Sequence, residues 1–173
     1  MATYEHIAKK IHQFVRKYYM NELIKGGILF FSLGCLYFIF TLFVEYFLWL
    51  NPLARTFLFW LFFGVELFLC FRFIFVPIFK LIGLQKGLGL EESSKIIGSH
   101  FPEINDKLIN IIQLKERLET SDLLVASIEQ KAKEIQPIPF ANAVDFKTNF
   151  RYIKYALIPV FIYIAVWVSG NLT

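Results

Sequence analysis

Hydrophobic positions along the chain fall into long unbroken blocks, separated by segments in which they recur at helical spacing. From Gly27 to Leu50 runs GILFFSLGCLYFIFTLFVEYFLWL, 24 residues with one charge, Glu45. From Leu53 to Val76 the run resumes, interrupted by Arg55, Glu66 and Arg72. A bilayer core roughly 30 Å thick needs roughly 20 apolar residues of helix, so each block predicts a span. Between them Asn51-Pro52 breaks the helix, because proline lacks the amide donor and restricts the residue before it. Residues 26–79 therefore read as a transmembrane hairpin with spans at about 27–50 and 53–76. A third block, Tyr152 to Gly170, has no charge after Lys154 and predicts a third span that Pro159 kinks without ending. The alternative, a buried soluble helix, has nothing else in the chain large enough to cover it.

The periodic segments lie outside these blocks. Over residues 1–25, Ile7, Ile11, Phe14, Val15 and Tyr18 recur every three or four positions, with Lys9, Lys10, Arg16 and Lys17 mostly elsewhere on the wheel. This is a basic amphipathic helix with two open surroundings: anionic headgroups at the membrane surface, or the protein's own polar part. Pro77 and the GLQKGLG run at 83–89 mark the exit from the second span, and residues 80–151 form the main polar block. Within it, LEESSKIIGSH (Leu90–His100) predicts a short helix ended before Pro102. A second helix is expected from Glu103 to about Leu118, burying Ile104, Leu108, Ile111, Ile112 and Leu114. A third, Asp122–Ile135, is capped by Thr120 or Ser121 and lined by Leu124, Ile128 and Ala132. Pro137-Ile138-Pro139 stops it, and 140–150 is expected to be extended or irregular. No alternating strand pattern appears, so the expected fold is all-α.

Composition sharpens this picture. Hydrophobic residues make up 57% of the chain, against roughly 45–50% in average soluble chains, and the excess sits in the three blocks. The first block is too long for a signal peptide and lacks a cleavage site after it, and Ala2 does not match the myristoylation pattern. Five Lys and Arg precede the first span, eleven fall between Lys80 and Lys154, and the hairpin turn has only Arg55. Such a bias puts the N-terminus and the 80–151 block in the cytoplasm and residues 171–173 outside. It also accounts for the net charge of +4 without invoking nucleic acid. Cys35 and Cys70 both fall in spans, which indicates neither a disulfide framework nor a zinc site. No phosphate loop, dinucleotide fingerprint, zinc-protease motif or nucleophile elbow is present, so neither an enzyme nor a cofactor is expected.

The candidate chemistry lies in the hairpin. An ionisable group inside a span needs a partner, a wet cavity or a proton. At about 100° per residue, Gly27, Gly34, Tyr37, Thr41 and Glu45 share one face of the first span. Arg55, Phe59, Glu66, Cys70 and Pro77 share one of the second. With the turn placed at residue 52, Tyr37 and Thr41 flank the depth of Glu66, and Arg55 lies near Glu45. The expectation is that Tyr37 hydrogen-bonds Glu66 and that Arg55 pairs with Glu45. Glu66 then has two readings: a structural carboxyl that fixes packing, or a proton-carrying one. Arg72 lies near the cytoplasmic end and can snorkel to the headgroups.

One stretch is more specific. LEESSKIIGSHFPEINDKLINIIQL (residues 90–114) resembles a segment of a family of large, poorly characterised bacterial inner-membrane proteins, with Pro102, Glu103, Ile104, Asp106, Lys107, Leu108 and Asn110 matching its motif. In that family an N-terminal hairpin, cytoplasmic helices and a third span precede a long extracytoplasmic region. The resemblance implies an inner-membrane anchor or scaffold subunit of an envelope complex, of which these 173 residues are the membrane part. By its own physical logic the motif is a helix corner beneath the membrane, and the expectation is that Pro102, Glu103, Asp106, Lys107, Leu108 and Asn110 form a cytoplasmic docking motif. Expected partners are anionic lipids, other membrane or envelope proteins and further copies of the chain. The alternative is a subunit of an ion-driven motor or transporter, with Glu66 as its carrier.

Overall fold

Helix α1 (Ala2–Leu48) runs for 47 residues without a break. The computed structural model describes residues 2–116 and 122–171, and all secondary structure among them is helical. Gly26 and Gly27 each cost a helix interior roughly 1 kcal/mol relative to alanine, yet α1 continues through them. The boundary near residue 25 is thus a change of surroundings along one helix. α1 ends at Leu48, where Trp49 takes a φ of 46°. Asn51 then caps α2 (Pro52–Cys70), its Oδ1 accepting from the Ala54 amide at 2.8 Å with Pro52 in the first turn. A π-turn (Phe71–Phe75) and α3 (Val76–Leu81) extend α2 into a rod of 30 residues.

The remaining elements are α4 (Leu90–His100), a 3-10 turn (Pro102–Ile104), α5 (Asn105–Glu116) and α6 (Asp122–Ile135). Two more 3-10 turns (Phe140–Ala143 and Phe146–Asn149) lead to α7 (Phe150–Asn171). The helix expected from Glu103 begins instead as a 3-10 turn headed by Pro102. The segment 140–150, expected to be extended or irregular, coils, because its amides find local acceptors: Asn142 donates to the Pro139 carbonyl at 2.9 Å and Val144 to that of Ala141 at 3.3 Å. The cap at Thr120 or Ser121 lies outside the described residues. Three helical segments are long and apolar enough to cross a membrane: α1, the α2–α3 rod, and the one containing α7.

The chain divides into two compact units, one comprising Met1–Tyr19 with Lys86–Asp145. In it, Ile7, Ile11 and Phe14 of α1 are at most 1% exposed, packed in a core with Ile97, Leu108, Ile111, Ile112 and Ile135. Each such side chain contributes roughly 1.5–3 kcal/mol on burial. The apolar stripe of α1 is therefore covered by protein, the second of the two surroundings left open by the sequence. Lysines of the same helix serve the backbone beyond α6. Lys10 donates to the carbonyls of Gln136 and Ile138, and Lys17 to that of Ala141 at 2.8 Å. The α4–α5 corner closes on small residues. Ser93, Ser94 and Gly98 are buried, and a Cβ on Gly98 would stand 2.0 Å from Asn105 Oδ1 and 2.9 Å from its Cα.

Lys107 of α5 reaches Glu134 of α6 at 2.7 Å. The hydrogen bond from Lys107, then the charges of Lys107 and Lys131, hold the Glu134 carboxyl below its usual range. The folded value lies below the unfolded one, so the stabilisation is complete above the unfolded value of about 4.3 and fades as pH falls through the folded one. Urea midpoints of wild type and Glu134→Gln are expected to differ modestly at pH 7 and to converge below pH 4. A gap that persists at low pH would mean the carboxylate charge is not the cause.

The other unit comprises Met20–Gln85 with Phe146–Thr173. Its hairpin is held by the close approach of Gly26 to Phe73, by Tyr37 stacked on Phe62 at 5.8 Å and 8°, and by an ion pair across the turn. α7 runs parallel to α1: Asn149 Nδ2 donates to Asn21 Oδ1 at 2.8 Å, Lys25 Nζ sits 5.3 Å from the Tyr152 ring centroid, and Pro159 and Tyr163 line a cleft with Cys35, Phe38 and Ile39. Outward-facing aromatics dominate the surface, with Phe57, Phe59, Trp60, Phe68, Phe161 and Trp167 all more than half exposed.

Candidate functional site

The two carboxylates of the hairpin occupy different environments. Glu45, three residues before α1 ends, accepts from Arg55 Nε, in the first turn of α2, at 2.7 Å. Both side chains are substantially exposed, so the pair closes the turn end of the hairpin without a large desolvation cost.

Glu66 lies against the backbone of Gly34. A Cβ on that glycine would be 2.9 Å from both carboxylate oxygens. Oε1 is buried and, among the described residues, has no hydrogen-bond partner. The expected bond from Tyr37 is therefore not formed; the Tyr37 ring stacks on Phe62 instead. Register explains the correction. Because α1 stops at Leu48, the turn is centred near residue 50 and not 52, as the facing of Gly34 with Glu66, Tyr37 with Phe62 and Glu45 with Arg55 shows. That displacement is about one helical turn, enough to put glycine opposite Glu66 in place of tyrosine. Thr41 turns its hydroxyl onto its own helix, donating to the Tyr37 carbonyl at 2.9 Å, as threonine in a helix interior commonly does.

Beside Glu66 is a cleft of ≈ 230 Å³ whose other walls are Phe30, Phe31, Gly34, Cys35, Phe38 and Phe62. An ionised carboxyl in such surroundings has a large solvation deficit. The chemistry open to it is to hold or exchange a proton, or to accept a donor from another helix.

The residues of the 102–110 motif separate by burial. Pro102, Glu103, Asp106, Lys107 and Asn110 are exposed, with Lys107 engaged by Glu134. Leu108 is 0% exposed; it belongs to the core, and its loss acts through the fold. Gly34 was placed on the packing face of the first span but not opposite Glu66, and Gly26 and the π-turn were not among the candidates. Small residues at helix contacts within lipid are the signal that points to the glycines. No group of three or more His, Cys, Asp or Glu among the described residues could hold a metal ion. Compared with family models, curated proteins and solved structures, the chain matches none.

Proposed function

We propose that the chain is a multi-pass anchor of the bacterial inner membrane that scaffolds an envelope complex, with the 86–145 helices docking partners at the cytoplasmic face. The observation that carries this reading is the surface of the α2–α3 rod: none of its most apolar stretch is buried within the protein. Apolar helix surface of that extent requires lipid or other spans to cover it. The basic bias of residues 1–25 and 80–151 supports the orientation, and the motif resemblance supports the envelope setting. The exposed Glu103, Asp106 and Asn110 supply the docking contacts. Alkaline carbonate extraction is expected to leave the protein in the membrane pellet, and a phosphatase fused after Thr173 to be active. Release by carbonate would overturn the anchor. The triple variant Glu103→Ala, Asp106→Ala, Asn110→Ala is expected to fold normally and lose co-purifying partners; unchanged co-purification would sink the docking role.

A second reading is favoured by the buried, unpartnered Oε1 of Glu66: an ion-driven subunit in which this carboxyl carries protons. Glu66→Gln keeps the shape that fits against Gly34 but cannot ionise. The scaffold reading expects Glu66→Gln to assemble and function, and Glu66→Ala to lose assembly. The carrier reading expects Glu66→Gln to assemble normally while proton-driven fluorescence quenching in vesicles disappears.

A further inference from the structure

A second cleft, of ≈ 200 Å³, opens at the other end of the hairpin, between α1 and the π-turn. Its origin can be followed from the sequence. Pro77 has no amide to offer the Phe73 carbonyl four residues earlier, and its ring crowds that carbonyl. The rod answers with the π-turn, in which Val76 donates to the carbonyl of Phe71, five residues back. The Phe73 carbonyl is turned toward α1, where a Cβ on Gly26 would stand 2.1 Å from its oxygen. Beside this backbone contact, α1 contributes Glu22, Lys25 and Leu29 to the cleft, and the opposite wall has Arg72, Phe73 and Pro77. π-turns of this kind recur at functional sites.

We infer that this cleft binds the phosphodiester headgroup of an anionic phospholipid. The inference rests on the membrane reading above, which sets Lys25 and Arg72 at the ends of the apolar blocks, where headgroups lie. Arg72 has no ion-pair partner among the described residues, while Lys25 has a long contact with Glu22 at 3.5 Å. Two cations and one carboxylate leave a single positive charge, which one phosphodiester neutralises. The Arg72 guanidinium offers a fork to two phosphate oxygens, and Lys25 supplies a point charge from the facing helix. Leu29 and Phe73 form the apolar side along which the glycerol and acyl chains leave.

The test uses the whole chain reconstituted in vesicles of phosphatidylglycerol and phosphatidylcholine, then extracted gently for native mass spectrometry. Wild type is expected to retain phosphatidylglycerol over phosphatidylcholine. The double variant Lys25→Gln, Arg72→Gln should retain about 25-fold less, since each cation near an anionic surface is worth a factor of roughly five. Lys86→Gln, outside the cleft, should retain the wild-type amount. Equal retention by wild type and the double variant would overturn the site. Displacement of the lipid by millimolar inorganic phosphate would show a site for free anions and would also overturn it. Flotation of the same vesicles separates the two levels of argument. If wild type fails to float, the membrane reading falls and the site with it; if both proteins float and retain lipid equally, only the site falls.

Discussion

Gly26→Ala is expected to lower the unfolding midpoint of the detergent-solubilised protein, whereas Gly27→Ala, one residue on, raises it. Both substitutions have the same intrinsic effect on α1, a gain of roughly 1 kcal/mol from replacing glycine in a helix interior. They differ in what the new methyl meets. At Gly27 nothing lies within 4 Å; at Gly26 the Phe73 carbonyl oxygen stands at 2.1 Å. That oxygen is backbone and cannot rotate away, so α1 and the π-turn must separate. Overpacking of this kind costs about 1–3 kcal/mol, at the upper end where no side chain can yield. With roughly 2–4 °C per kcal/mol for a chain of this size, the two variants should lie several degrees apart with opposite signs. Equal midpoints would mean that the glycine contact does not hold the hairpin. Gly26→Ala should also weaken phospholipid retention, because the cleft beside Phe73 depends on the same approach.

The second large effect belongs to the unit containing the 86–145 helices. Phe14 is 0% exposed, and Phe14→Ala is expected to destabilise this unit by about 3–5 kcal/mol, a large fraction of the 5–15 kcal/mol typical of a whole domain. Arg16→Ala, on the exposed side of the same helix, should change stability by less than about 0.5 kcal/mol. Urea unfolding followed by circular dichroism reads both. The pair also separates the two surroundings open to the N-terminal helix. A helix lying on headgroups would lose vesicle affinity at Phe14→Ala while the other helices kept their stability, and that outcome would overturn the packed arrangement. Leu108→Ala belongs with Phe14→Ala, at about 2–5 kcal/mol, and is for that reason a poor probe of docking. Asp106 and Glu103 are the sound probes because their side chains face solvent.

The long apolar helices and the all-helical character of the chain were legible from local pattern. Hydropathy over some twenty residues responds to the surroundings of a whole helix, and errors at its ends scarcely matter. The ends of α4 and α6 were legible for a related reason: Pro102 and Pro137 act on the backbone wherever they occur. Glu45 and Arg55 could be matched because both lie close to the turn, and two flexible side chains absorb a small error of register. Glu66 could not. Its partner depends on where the hairpin turns, and Trp49 at positive φ moved that point by about two residues, which shifts the opposite helix by about one turn.

The placement of Gly26 and Gly34 against α2 and the π-turn, and the choice between lipid and protein for the stripe of Ile7, Ile11 and Phe14, were decided only by tertiary structure. Periodicity shows that a helix has an apolar face, not what covers it. A glycine is silent until another backbone or a carboxylate comes within 3 Å of the place its Cβ would fill. The hairpin therefore reads from sequence as two spans with an ion pair at the turn and a second carboxyl, Glu66, set opposite a tyrosine. Its three-dimensional form keeps the ion pair and lodges the Glu66 carboxyl against a glycine instead.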